Sequence, residues 1–64
     1  MDFAQLACFV RAYECGNFSQ AAADLYLAQT SLTYRIASLE KELGCELFVR
    51  TKRGVVPTEA ARAA

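Results

Sequence analysis

Apolar positions near the start of the chain repeat with the period of a helix. They stand three or four residues apart along one stripe, which consists of Phe3, Leu6, Phe9, Val10 and Tyr13. This spacing predicts a helix that buries one apolar face. Asp2, three residues before Gln5, resembles a capping box, and Gly16 suits the left-handed position that ends a helix. The pattern therefore predicts a first helix between Asp2 and Gly16.

A second and a third helix are predicted on either side of a short break. Ser19 is a favourable N-cap for an alanine-rich helix over residues 20–25. After a break at residues 26–28, an apolar stripe again recurs at helical spacing and predicts a helix over Gln29–Leu43, closed by Gly44. The stripe consists of Leu32, Ile36, Leu39 and Leu43. Two helices joined by a three-residue turn form the outline of a helix-turn-helix.

The pattern changes after the third helix. Two short β-prone stretches, residues 48–50 and 55–56, flank the segment Thr51-Lys52-Arg53-Gly54. This arrangement predicts a β-hairpin with Gly54 at the tight turn, ended by Pro57.

A fourth helix is predicted to begin after Thr58, which can cap it. The sequence stops inside this alanine-rich helix, which is too short to be stable alone. We therefore expect that this helix continues in the native protein or packs against a second copy. With 64 residues, many of the apolar ones being alanine, the chain suffices for one small domain with a thin core.

The composition argues against several classes of function. The chain has no His and no pair of Cys at the spacing of metal ligands, so we expect neither a zinc site nor a Ser-His-Asp or Cys-His nucleophile, and no cofactor. An enzyme is therefore not expected. Apolar runs are too short for a membrane span, and Asp2 stands where a secretory leader would carry positive charge, so we expect a cytoplasmic protein. Cys8, Cys15 and Cys45 form no disulfide framework, and a redox-sensing thiol among them stays an alternative to three inert ones.

The third helix carries a polar face that is free of acids over its first two turns. The candidate DNA-binding residues on it are Gln29, Thr30, Ser31, Thr33, Tyr34 and Arg35. A carboxylate would be repelled by phosphates, whereas short polar side chains can reach base edges, so this face favours the major groove of DNA. An ordinary solvated face, which would more often carry Lys and Glu, is one alternative. A protein-docking face centred on Tyr34 is another.

The predicted hairpin places three positive charges in four residues, at Arg50, Lys52 and Arg53. Held beside the third helix, they would contact phosphates or the minor groove. A solvated loop is the alternative. The net charge is zero, but residues 1–34 carry one base against three acids and residues 35–64 carry six bases against four acids. This asymmetry of charge is too small to decide between a hairpin that contacts DNA and a solvated loop.

Identities spread along the chain then point to a family. They are Ala22-Ala23, Leu25, the run from Leu27 to Thr33, Ile36, Leu39-Glu40, Leu43-Gly44, Leu47-Phe48 and Arg50, together with Phe9-Val10, Gly16-Asn17-Phe18-Ser19 and Thr58-Glu59-Ala60. This pattern closely resembles the N-terminal DNA-binding domain of LysR-type transcriptional regulators. The resemblance covers essentially the whole chain.

The resemblance implies a mainly α fold, a bacterial winged helix-turn-helix of three helices with a short β-hairpin wing. Residues 1–57 would form the DNA-binding domain and residues 58–64 the start of a dimerising linker helix. A sensing domain for a small-molecule effector would follow outside this sequence. The implied partners are double-stranded DNA and a second copy in a homodimer, with a tetramer possible for the longer protein, and no membrane.

The resemblance also implies residue roles and shows three departures from the family pattern. Positions matching Gln29, Thr30 and Thr33 approach bases in the family, and a wing residue matching Arg53 enters the minor groove. Ala28 stands where the family commonly has Ser, so a helix cap worth about 1 kcal/mol is missing. Thr30 stands where Pro is frequent and Tyr34 where Arg is frequent, which leaves base preference open.

Overall fold

The described part of the chain folds into four helices and one two-stranded antiparallel sheet. The computed structural model describes residues 2–52 and 54–63. The elements are α1 (Phe3–Cys15), α2 (Phe18–Asp24), α3 (Gln29–Leu43), β1 (Phe48–Thr51), β2 (Gly54–Pro57) and α4 (Glu59–Ala63). The three longer helices pack on one another, and the hairpin and α4 follow at one side. The predicted mainly α winged helix-turn-helix is confirmed.

Local signals at both ends fix the limits of α1 as predicted. The Gln5 backbone N–H donates to Asp2 Oδ1 at 2.7 Å, and the Asp2 N–H donates to Gln5 Oε1 at 3.1 Å, which completes the capping box. Gly16 has a φ of 68° and ends the helix in the left-handed conformation.

The buried face of α1 differs from the prediction. Cys8 and Ala12 are buried and Phe9 is partly buried, whereas Phe3 is 86% exposed. Leu6, Val10 and Tyr13 are also exposed. The prediction of one buried bulky stripe was wrong, because α1 packs on α2 and α3 mainly through small side chains that share one core with the alanines of α2.

Helix α2 begins two residues earlier than predicted, because Asn17 and not Ser19 is its N-cap. Asn17 has extended backbone angles, and its Oδ1 accepts a hydrogen bond from the Gln20 N–H at 3.2 Å. Phe18, predicted to precede the helix, is its first residue and is buried. Ser19 thus lies inside the first turn, where its hydroxyl is free for another partner.

The turn between α2 and α3 is a Schellman motif with a tyrosine in the place that glycine usually takes. The Leu27 N–H donates to the Ala22 carbonyl at 2.8 Å, and the Tyr26 N–H donates to the Ala23 carbonyl at 3.1 Å. Tyr26 adopts a φ of 59°, a backbone conformation that glycine tolerates far better than a residue with a Cβ does. The motif turns the chain sharply into α3.

The limits of α3 are confirmed, and most of its predicted apolar stripe is buried. Leu32, Ile36 and Leu39 lie in the core, while Leu43 is 46% exposed and extends past the packed part of the helix. Ala28 is the N-cap and offers no side-chain cap, as the departure from the family pattern predicts.

The hairpin is confirmed and is anchored to the helices at both ends. Phe48 pairs with Pro57 and Thr51 with Gly54. At the root, Glu40 Oε2 accepts hydrogen bonds from the backbone N–H groups of Leu47 at 2.7 Å and Phe48 at 3.3 Å. Near the tip, the Val55 N–H donates to the Gly16 carbonyl at 3.3 Å. The hairpin is therefore attached to α3 and to the turn between α1 and α2.

Thr58 caps the N-terminus of helix α4, as predicted. Thr58 Oγ1 accepts from the Ala61 N–H at 3.3 Å and donates to the Glu46 carbonyl at 2.6 Å. Its own N–H donates to the Leu47 carbonyl at 2.9 Å. Ala61 is buried against the core, so the first turn of α4 belongs to the packed domain.

Candidate nucleic-acid interface

The polar face of α3 and the root of the wing line one open groove. Its walls are formed by Gln29, Thr30, Thr33, Tyr34 and Arg50, around a volume of about 470 Å³. We call this set the α3 groove. Hydroxyls, an amide, a phenol and a guanidinium converge on it, and it contains no carboxylate. Four of the predicted helix residues and one predicted wing residue thus lie together.

Arg50 is placed in the α3 groove by an aromatic side chain from α2. Its guanidinium carbon lies 5.6 Å from the centroid of the Phe18 ring, within the range of a cation–π contact. Phe18 in turn packs edge-on against Phe48, with ring centroids 5.5 Å apart. The positive charge is therefore held at a defined position while its outer face stays exposed to solvent.

The other two helix candidates lie on the far side of the same helix end. Ser31 and Arg35 line a second hollow of about 500 Å³ at the N-terminus of α1. Its full lining is Asp2, Gln5, Thr30, Ser31, Tyr34, Arg35 and Ser38. Thr30 and Tyr34 border both hollows and form the ridge between them, and Tyr34 is 73% exposed. The polar side chains of the first two turns of α3 thus line both hollows and the ridge between them.

Of the candidate residues on the wing, Arg50 lines the α3 groove and Lys52 does not. Lys52 is exposed at the turn, where the Thr51 hydroxyl donates to the Gly54 carbonyl at 3.1 Å. The prediction for Arg53 lies outside the described residues.

Three residues that support the surface escaped the prediction from sequence. Phe18 positions Arg50, Ser19 donates a 2.7 Å hydrogen bond to Gln29 Oε1, and Glu40 attaches the root of the wing to α3. Each acts across a tertiary contact. Phe18 and Ser19 stand close to a helix start, and all three residues belong to the identities that point to the family, but neither signal predicts these contacts.

The three cysteines carry free thiols and lie away from the α3 groove. Burial raises the pKa of the Cys8 thiol, an effect that the nearby positive charge of Arg35 partly offsets. Cys15 accepts a hydrogen bond from Arg11 Nε at 3.3 Å, and Cys45 is exposed. No helix among residues 2–52 and 54–63 is long and apolar enough to cross a membrane.

A helix-turn-helix whose second helix is followed by an anchored β-hairpin defines the winged class of this fold. Residues 3–62 match the protein family described as "Bacterial regulatory helix-turn-helix protein, lysR family". The chain belongs to this family, and it corresponds to the DNA-binding domain of a LysR-type transcriptional regulator, a class of protein that is not enzymatic.

Relatives cover the chain almost completely, while the chain covers only a part of them. The nitrogen assimilation regulatory protein nac of Escherichia coli (strain K12) is 45% identical over 62 residues, which are 97% of this chain and 20% of that protein. The transcriptional regulator AbaB of Streptomyces antibioticus is 48% identical over 58 residues, 91% of this chain and 19% of that protein. The chain thus spans about a fifth of the length of these relatives.

Two solved structures of DNA complexes have nearly the same fold. The DNA-binding domain of CbnR in complex with DNA superimposes with a TM-score of 0.93 at 38% identity, over 98% of this chain and 72% of that one. The DNA-binding domain of BenM bound to the catB site 1 DNA gives a TM-score of 0.93 at 36% identity, over 98% of this chain and 71% of that one.

Proposed function

We propose that the chain binds specific sequences of double-stranded DNA, with the N-terminal half of α3 in the major groove and the wing on the adjacent backbone or minor groove. One observation carries the proposal: the α3 groove collects an amide, two hydroxyls, a phenol and a guanidinium with no acid among them. Neutral donors and acceptors suit base edges, and the guanidinium suits phosphate.

Within this proposal the helix residues divide into two roles. Gln29, Thr30, Thr33 and Tyr34 contact bases, because they line the α3 groove or its ridge. Ser31 and Arg35 lie in the hollow beside α1, from which they contact phosphates of the DNA backbone beside the major groove. This division follows from where the side chains lie and from the preference of guanidinium groups for phosphate.

The wing supplies the charge of the interface. Arg50, Lys52 and Arg53 neutralise phosphates or enter the minor groove, which contributes affinity that depends strongly on salt and little on sequence. Because the wing root is hydrogen-bonded to Glu40 of α3, wing and recognition helix meet the DNA as one body.

The proposal extends to a homodimer in the cytoplasm of a bacterium. Residues 1–57 form the DNA-binding domain, and residues 58–64 begin a helix that joins two copies. The exposed apolar side chains of α1 support this, since Val10 and Tyr13 share an open hollow of about 410 Å³ with Ala61 and Arg62 of α4. A tetramer and a small-molecule effector belong to a longer protein.

Ionic strength provides the test. A duplex is first selected from a pool with a randomised central segment, and its dissociation constant is then measured by fluorescence anisotropy over a series of salt concentrations. We expect a steep linear fall of log affinity with log salt, and Lys52→Ala should reduce that slope by about one. Lys41→Ala removes the same charge from the last turn of α3, outside the α3 groove and the wing, and should leave the slope unchanged. A weak salt dependence, with both variants equal to the wild type, would favour the protein-docking alternative instead.

A further inference from the structure

The side chain of Gln29 is held by a contact within the protein itself. Ser19 Oγ donates a hydrogen bond of 2.7 Å to Gln29 Oε1. Ser19 lies in the first turn of α2 and Gln29 is the first residue of α3, so the bond bridges the two helices of the helix-turn-helix. Among residues 2–52 and 54–63, no group accepts a hydrogen bond from Gln29 Nε2. One of the two acceptor positions of this amide is therefore engaged, and its donor is free.

The bridge joins two elements whose relative position is fixed. Ala21 and Ala22 of α2 and Leu32 of α3 are packed in the same core. Ser19 and Gln29 both line a small hollow of about 160 Å³ between α2 and the wing, and Gln29 also borders the α3 groove. The free donor of Gln29 is therefore available to whatever enters the α3 groove.

The direction of the bond matters because the two purines differ at one position in the major groove. Adenine offers an acceptor, N7, beside a donor, the N6 amino group, and an unrestrained glutamine pairs with both. Guanine offers two adjacent acceptors, N7 and O6. The Ser19 hydroxyl occupies one of the two acceptor positions of Gln29 Oε1, while both hydrogens of Nε2 stay available, so this side chain offers the groove more donors than acceptors.

We infer that Ser19 is a specificity-determining positioning residue, which presents Gln29 to DNA as a hydrogen-bond donor and directs it to guanine in preference to adenine. The inference rests on the proposed function, in that Gln29 must contact a base. Ser19 acts through Gln29 and touches no base itself. Its role is thus one of preference between sites and not of overall affinity.

The test compares base preference among four variants of the chain. Each protein selects from a pool of duplexes with a randomised central segment, and Gln29→Ala identifies the base pair that Gln29 contacts as the position where preference is lost. Dissociation constants are then measured on duplexes with guanine or adenine at that position. For Ser19→Ala we expect the guanine-to-adenine ratio to shift towards adenine by about ten-fold, within the discrimination that one bidentate contact provides. Ser19→Thr keeps the hydroxyl and should keep the wild-type ratio.

Two controls separate a positioning role from a structural one. Ser19 is exposed within a helix, and alanine is the better helix former, so Ser19→Ala should unfold at the same urea concentration as the wild type or higher. Gln20→Ala removes the neighbouring polar side chain, which hydrogen-bonds Asp24 and not Gln29, and should leave the ratio unchanged.

The outcomes distinguish this inference from the proposal beneath it. An unchanged ratio in Ser19→Ala, at a position where Gln29→Ala loses its preference, would overturn the inference and leave the DNA-binding role of Gln29 intact. A Gln29→Ala variant with wild-type preference at every position would overturn both. A wild-type preference for adenine at that position would also contradict the inference, because it would require Gln29 Oε1 to accept from the adenine amino group in addition to Ser19.

Discussion

Gly54 of the wing lies directly against Gly16 of the turn between α1 and α2. A Cβ atom added to Gly54 would lie 2.8 Å from the Gly16 carbonyl oxygen, closer than such atoms approach in folded proteins. The same carbonyl accepts the hydrogen bond from the Val55 N–H. The close approach of two backbones is therefore what holds the tip half of the wing on the helices.

Substitution of Gly54 by alanine should release the wing. The added methyl group meets a backbone oxygen that cannot rotate away, and the φ of 128° at this position is strained for any residue with a Cβ. We expect a clear loss of unfolding free energy in urea, together with faster hydrogen exchange at the Val55 amide.

Gly44 provides the matched control for this substitution. It also has a positive φ, 73°, but a Cβ there would meet nothing within 4 Å. Gly44→Ala should therefore cost only the backbone strain, about 1 kcal/mol, and should leave exchange at Val55 unchanged. Equal losses in the two variants would show that the contact with Gly16 contributes nothing.

Glu40 should be a stabilising residue even though it lies on the surface side of α3. One of its carboxylate oxygens accepts hydrogen bonds from the Leu47 and Phe48 amides at the start of β1. Bonds of this kind to a charged acceptor are each worth about 1.5–3 kcal/mol, so Glu40→Ala should lower the urea midpoint markedly. The side chain of Glu46 is exposed, so Glu46→Ala is the control and should stay close to the wild type. Similar midpoints for the two variants would refute this role.

Restoring the missing helix cap should stabilise the domain. Ala28 is the N-cap of α3 and has an extended backbone, with φ −69° and ψ 148°, so a serine hydroxyl there can accept from an amide of the first turn. We expect Ala28→Ser to raise the unfolding free energy by about 1 kcal/mol. Ala37→Ser, at an exposed site within the same helix, should instead lower it slightly, because serine is the poorer helix former. A gain at both positions, or at neither, would argue against a capping effect.

Cys8 should make the stability of the domain sensitive to alkaline pH. It is 1% exposed, and burial raises the pKa of its thiol above the ordinary value of 9.0. Above the unfolded pKa the unfolded chain loses the proton while the folded chain keeps it, so unfolding becomes more favourable as the pH rises. The unfolding free energy should thus fall above about pH 9.

Replacement of the thiol isolates this effect from other alkaline titrations. Cys8→Ala should be less stable near neutral pH, because it leaves a small cavity, but it should lose less of its remaining stability between neutral and alkaline pH than the wild type does. Parallel curves of unfolding free energy against pH for the two proteins would count against the buried thiol as the source.

Sequence reasoning located the helices well where the signals are local. The capping box at Asp2 and the left-handed glycines at Gly16 and Gly44 fix helix ends through bonds within a few residues, and they were predicted. The prediction of Ser19 as the N-cap of α2 was wrong, since Asn17 is an equally good cap and the course of the chain after Gly16 selects it.

The buried face of α1 and the supports of the site depend on packing that no local pattern specifies. Periodicity identified the bulky side chains of α1, but in so small a domain the close contact between helices selects the small ones, such as Cys8 and Ala12. The candidates on α3 followed from their helical spacing. Phe18 and Ser19 did not, because their partners lie on other elements and become neighbours only in the folded chain.

Thr58 both caps α4 and attaches it to the segment before β1. Its hydroxyl donates to the Glu46 carbonyl and accepts from the Ala61 N–H in the first turn of α4. Glu46 directly precedes Leu47, whose N–H donates to the Glu40 carboxylate of α3. The start of α4 is thereby linked to α3 through the residues that lead into β1. In a pair of domains coupled through α4, the distance between the two α3 helices would be a property of the protein, and the spacing of the half-sites on DNA would have to match it.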